Sequence, residues 1–161
     1  MPQFRDYFIS VHHSFAAAVL AALLMPMATA NESRDLQAWN VVVIVNPSVT
    51  ETHISRNMLR AIYSMRLHSW SEQLSTRVFV LTERSKVHQA FCEQKLEIFP
   101  HQMQQVWDRL VYSGTGQAPI SLSSEEEMLS RIESTPGAIG YVSAPPTSTA
   151  VKVLDVISAN P

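Results

Sequence analysis

Residues 41–45 read VVVIV, an unbroken β-branched run that ends at Asn46-Pro47. Side chains alternate across a strand, so a run with no polar member must bury both of its faces. An open antiparallel sheet with one wet face does not allow that. A parallel or mixed sheet covered by helices on both sides does, and the run is therefore read as the first strand of an α/β domain.

The rest of the chain supplies the helices and strands that such a sheet needs. Over residues 53–65, Ile54, Met58, Ile62 and Met65 recur at helical spacing, which predicts an amphipathic helix with Thr50 or Thr52 as its cap. RVFVLT, residues 77–82, reads as a second strand. Residues 85–95 read as a short helix with Val87, Ala90 and Phe91 on its core side. Pro100 opens a further helix at a position where the missing N–H costs nothing. Met103, Val106, Trp107, Leu110 and Val111 form its apolar stripe, and Gly114 should end it. Ser124-Glu125-Glu126-Glu127 fits a capping box with acidic residues at the positive end of the helix dipole, followed by Met128, Leu129 and Ile132 as the buried side. That role accounts for the glutamate run without a catalytic or metal cluster. Residues 138–143 and 151–156 read as two more strands. The expected fold is α/β, a mixed, mostly parallel sheet flanked by helices.

The four glycines of the chain all lie between positions 114 and 140. Gly114 and Gly116 suit a helix end and the loop to Pro119. Pro136-Gly137 fits the centre of a type II turn, where glycine takes the positive φ. Gly140 falls inside a predicted strand, which implies a bulge or a close approach by other backbone.

The amino-terminal stretch reads as a targeting segment. FAAAVLAALLMPM, residues 15–27, is too short to span a bilayer as a helix and runs into Ala28-Thr29-Ala30, a small-x-small pattern that signal peptidase accepts. The expectation is a signal peptide over residues 1–30, cleaved after Ala30, export to the periplasm, and one domain over 31–161 with no stable membrane insertion. Net charge is −2, which offers no long-range attraction to nucleic acid or anionic lipid. Cys92 is the single cysteine, so no intrachain disulfide is available, and it reads as a small buried helix residue.

No catalytic arrangement stands out: there is no Gly-x-Ser-x-Gly elbow, no glycine loop for phosphates and no acid pair. His53, His68, His88 and His101 are expected to have neither an i, i+4 partner nor a cysteine partner, so no metal or cofactor is expected. The aromatic residues Trp70, Trp107 and Tyr141 read as core, Trp70 being the one most exposed to another use.

Three pieces of the chain carry a resemblance: Ile62-Tyr63-Ser64-Met65-Arg66 with Trp70 downstream, Val80-Leu81-Thr82-Glu83-Arg84-Ser85, and PGAIGYV over 136–142. In this order they resemble the phosphate-type periplasmic substrate-binding proteins of ABC transporters. The resemblance covers roughly residues 41–142 and implies one lobe of a type 2 periplasmic binding protein. It also implies that the Gly-Ala-Ile-Gly-Tyr strand runs near a ligand cleft. The chain departs from the pattern after Arg84: the family's Ser-Gly-Thr cradle is replaced by Arg84-Ser85-Lys86-Val87-His88-Gln89, so only Arg84 and Ser85 carry over.

Arg84, Ser85 and Lys86 fall at a strand-to-helix junction, where a forked guanidinium, a hydroxyl and an ammonium suit an oxyanion, although Glu83 opposes it. Ser48 and Thr50, with Asn46, follow the first strand, as ligand residues do in open α/β sheets. The same residues also suit caps and turns. The resulting expectation is a non-enzymatic module that binds phosphate or a related small oxyanion. The alternative is a lobe that has lost solute binding and contacts an envelope protein or a second copy of itself.

Overall fold

A computed structural model describes residues 39–157; the signal-peptide and cleavage-site readings lie outside them. The first strand is β1, Val42–Val45, and Val43, Ile44 and Val45 are essentially inaccessible to water. Such burial stabilises the fold by about 1.5–3 kcal/mol for each large aliphatic side chain. Strand β2, His53–Ser55, follows, then helix α1, Arg56–Tyr63, and a small separate hairpin of β3, Ser69–Ser71, with β4, Leu74–Ser75. Next come β5, Arg77–Leu81, helix α2, Lys86–Phe91, continued by a π-helical turn at Cys92–Leu96, and helix α3, Pro100–Tyr112. Strand β6, Ile120–Leu122, helix α4, Glu125–Ser134, and strands β7, Ala138–Val142, and β8, Lys152–Ile157, complete the order.

The main sheet runs β2-β8-β1-β7-β5-β6. β2 is parallel to β8, and β7, β5 and β6 are mutually parallel. β1 alone is reversed, antiparallel to both neighbours through Val45↔Ile139 and Val45↔Lys152. The sheet is thus mixed and mostly parallel, as expected. The reversed strand is the one with the most apolar sequence, because it is central and covered on both faces.

β7 shows how the two helical layers are laid on. A Cβ at Gly140 would meet Met128 Sδ at 2.4 Å and Ile132 Cδ1 at 3.1 Å, so this face of the strand is where α4 sits. Tyr141, next along the strand, points the other way. Its ring stacks on Phe91 at 3.9 Å between centroids and lies 6.1 Å from Tyr63. Trp107 of α3 joins that layer by donating its indole N–H to the Tyr63 carbonyl at 2.7 Å. Gly140 is therefore a close-approach position, but what approaches is a helix side chain rather than backbone. There is no bulge in its pairing with Ile44.

Three local expectations are revised. The segment predicted as one helix from residue 53 begins as β2, because Ile54 is paired with Val156 of β8. The cap of α1 is Ser55, whose hydroxyl accepts from Met58 N at 3.2 Å, not Thr50 or Thr52. The helix predicted over 85–95 opens into a π turn and ends at Glu97 with φ +50°. That ending is clamped from α1: Arg56 and Arg60 donate to the carbonyls of Lys95 and Leu96 and pair with the Glu97 carboxylate. Guanidinium groups at a helix carboxyl end satisfy carbonyls that have no intrahelical donor.

The other boundaries hold. Ser124 caps α4 through Glu127 N, and Glu127 returns a bond to the Ser123 N–H at 3.0 Å, one residue earlier than a strict capping box. Gly114 follows the end of α3 with φ +67°. Gly137 takes φ +72°, with Ala138 N bonded to Thr135 O at 3.1 Å, as a type II turn requires. A Cβ there would also lie 2.1 Å from the Ser75 carbonyl oxygen, so Gly137 is fixed twice over.

Candidate functional site

Strand direction decides which of the sequence-predicted residues can act together. Arg84, Ser85 and Lys86 follow the carboxyl end of β5. Asn46, Ser48 and Thr50 follow the carboxyl end of β1, but β1 is reversed, so its carboxyl end lies beside the amino ends of β7 and β5. The fold sets the two groups at opposite edges of the sheet and brings only the first three together.

The groups at the amino edge have structural partners. Buried Asn46 donates its amide to the carbonyls of Ile132 and Glu133, at 2.8 and 2.9 Å, and accepts from Ser48 N at 2.9 Å. The Ser48 hydroxyl accepts from Gly137 N at 2.9 Å. Together they fasten the end of α4 and the Pro-Gly turn to β1. Thr50 is exposed and its hydroxyl bonds, among the described residues, only to the adjacent Glu51 carboxylate. Trp70 is likewise structural: its indole N–H donates to the Gly137 carbonyl at 2.9 Å.

The carboxyl edge is different. Ser85 caps α2, accepting from His88 N at 3.4 Å, and its own N–H closes a turn onto Thr82 O. Arg84 and Lys86 are exposed on either side of it. Lys86 reaches Gln89 Oε1 at 3.4 Å, whereas the Arg84 guanidinium makes no hydrogen bond or ion pair with any described residue. A cation so placed has its full complement of donors available to a ligand.

Behind this turn lies a small cleft of about 140 Å³ between β5, β6, α2 and α3. Its lining includes Glu83, His88, Gln104, Trp107, Pro119 and Ser121. His88 is buried there in a chain of hydrogen-bonding groups. Leu81 N–H donates to the Tyr141 hydroxyl oxygen at 2.9 Å, and that hydroxyl lies 2.6 Å from His88 Nδ1. The other ring nitrogen, Nε2, faces Cys92 Sγ at 3.6 Å. Burial lowers the His88 pKa from 6.5 to about 4, so the ring is neutral at pH 7. Burial also pushes the Cys92 thiol up to about 12, with Glu93 adding to the effect. It raises Tyr141 and Tyr63 well above the ordinary phenol value. These are not nucleophiles at neutral pH.

The expectation that no histidine has a cysteine partner fails at His88. The signal was present in the sequence, since His88 and Cys92 are four apart on one helix, but a polar ring on an amphipathic helix reads as solvent-facing. Trp107, which its stripe places in the core, also walls the cleft.

No family model and no curated protein matches this chain. Solved structures do, over the described α/β architecture. The chain is similar to an ABC-type phosphate transport receptor from Vibrio cholerae, with a TM-score of 0.55 at 16% identity over 72% of this chain and 45% of that one. A putative phosphate ABC transporter substrate-binding protein with bound phosphate, from Clostridium perfringens, matches with a TM-score of 0.58 at 15% identity, over 72% and 44%. PstS from Borrelia burgdorferi matches with a TM-score of 0.56 at 19% identity, over 75% and 48%. The chain shares the fold of one lobe of these solved structures. The lobe spans less than half the length of the solved receptors it matches. Within it, Arg84 and its neighbours occupy the carboxyl ends of the parallel strands, the edge at which open α/β sheets take their ligands. No helix among the described residues is long and apolar enough to cross a membrane.

Proposed function

We propose that this protein is an exported, non-catalytic binding module that takes phosphate or a related small oxyanion at Arg84, with Lys86 and the Ser85 hydroxyl beside it. The observation that carries the reading is the exposed Arg84 guanidinium, without a partner among the described residues, on the carboxyl edge of a receptor-type sheet. The likeness to receptors, one of them with bound phosphate, supports it. Export to the periplasm belongs to the same proposal and rests on the amino-terminal sequence pattern.

The test is thermal unfolding of the protein with and without millimolar phosphate, sulfate and chloride, alongside Arg84→Ala. A ligand at a hundred times its dissociation constant adds about 2.7 kcal/mol. Phosphate-specific stabilisation that disappears in Arg84→Ala upholds the reading. Indifference to every anion removes it.

A second reading has its own observation. Ser85 is committed to capping α2, and Val111, Tyr112 and Ile120 stand exposed around the end of α3 and the edge strand β6. These features favour a protein-contact module that has kept the lobe and lost its solute. Anion indifference combined with self-association or capture of an envelope protein distinguishes it.

A further inference from the structure

Glu83 is the awkward residue of the proposed site. Its exposed carboxylate immediately precedes Arg84, where it repels a bare oxyanion, yet it also lines the cleft that opens behind the turn. The cleft has the opposite character to the Arg84 surface. Among its lining residues Glu83 is the only charged group; Gln104 and Ser121 offer neutral polar atoms, Trp107 offers a ring, and both His88 nitrogens are engaged with Tyr141 and Cys92. A space of about 140 Å³ admits a chain of a few heavy atoms and no more. A cationic, anion-binding surface group and a small cation-favouring recess thus adjoin through consecutive residues.

We propose that the ligand is a zwitterion: a phosphate or phosphonate group held at Arg84 and carrying a short primary-amine arm whose ammonium enters the cleft against Glu83 and the Trp107 ring. This rests on the oxyanion reading of Arg84 and narrows it. An ammonium beside a carboxylate and an indole face gains from both, and it turns the Glu83 charge from a cost into a contact. The small volume and the adjacency of Glu83 to Arg84 suit an arm of about two carbons, which places the ammonium one residue's spacing from the phosphorus group.

The experiment compares inorganic phosphate, ethylphosphonate and 2-aminoethylphosphonate by calorimetric titration of the wild-type protein, Glu83→Gln and Arg84→Ala. In the wild type, the amine-bearing compound is expected to bind about fivefold more tightly than ethylphosphonate, the scale of a favourable exposed charge pair. Glu83→Gln should have opposite effects on the two classes, weakening 2-aminoethylphosphonate and strengthening phosphate, because one loses a partner and the other a repulsion. Arg84→Ala should weaken all three. If phosphate binds in an Arg84-dependent way but the amine confers no gain, or Glu83→Gln shifts both ligands alike, the zwitterion is refuted and the oxyanion site stands. If none of the three binds, both readings fall. Cosedimentation with phosphatidylethanolamine vesicles, lost in Glu83→Gln and absent with phosphatidylglycerol vesicles, would assign the same chemistry to a lipid headgroup; its absence alongside binding of the soluble compound assigns it to a free ligand.

Discussion

His88 ties the stability of the fold to pH in a direction that can be worked out. The unfolded ring titrates at 6.5 and the folded ring at about 4, because burial disfavours the imidazolium. Between these values the unfolded chain holds a proton that the native chain does not, so stability falls as pH drops from 6.5 towards 4. The full effect is about 3 kcal/mol. About 2 kcal/mol of it is expressed between pH 7 and pH 5, before the carboxylates begin to contribute. Glu126 and Glu127 act lower, since capping hydrogen bonds hold their pKa values below 4.5 and their contribution is lost only as pH falls through those values. Urea denaturation at pH 7 and pH 5, followed by tryptophan fluorescence, measures the difference. Trp107 lies 6.2 Å from the His88 ring and reports on that layer. His88→Gln should flatten the dependence. A wild-type loss below about 0.5 kcal/mol over this span, or an equal loss in His88→Gln, would refute the buried neutral ring.

Other substitutions probe the packing. Gly137→Ala combines a positive φ with a Cβ 2.1 Å from the Ser75 carbonyl and should cost about 3 kcal/mol in urea denaturation; a loss under 1 kcal/mol would show that the turn relaxes freely. Gly140→Ala should cost about 1–3 kcal/mol by crowding Met128, and that cost should largely vanish in a Met128→Ala background, so additivity of the two changes would contradict the contact. The Tyr63 hydroxyl is buried without a hydrogen-bond partner among the described residues, so Tyr63→Phe should be neutral or stabilising by up to about 1 kcal/mol; clear destabilisation would reveal a partner. Ser85→Ala should lower stability by about 1 kcal/mol through the lost α2 cap, measured by thermal unfolding at constant anion concentration, and no change would mean that the cap is idle.

Periodicity and punctuation carried much of the architecture. The proline start of α3, the serine cap of α4 and the Pro136-Gly137 turn are local devices, and each is where local chemistry puts it, whereas the α3 stripe is buried only at Met103 and Trp107 and its last member, Val111, is exposed. What escaped is pairing. β2 has too few residues to show a period, and it exists because β8 lies alongside. The direction of β1 is invisible in VVVIV, which reads the same whichever way its neighbours run, and that direction is what separates Ser48 and Thr50 from Arg84. Of the candidate site, Arg84, Ser85 and Lys86 were legible because their strand and helix were. The cleft beside them was not, since it depends on α3 and β6 folding back over Glu83 and His88.

The reversed strand also dictates an order of assembly. β1 leads the described residues in the chain, yet both of its hydrogen-bonded neighbours, β7 and β8, are the last strands made. The run with the strongest demand for burial must therefore wait, exposed and unpaired, while everything between is synthesised. β5 and β6 can pair once the helices between them are made, whereas the middle of the sheet closes only when the far end of the chain arrives, at the loop-closure cost that makes non-local pairing slow. A chain cut short before β7 loses both partners of β1 at once and presents an apolar strand with two open edges, the form most prone to associate with its own kind.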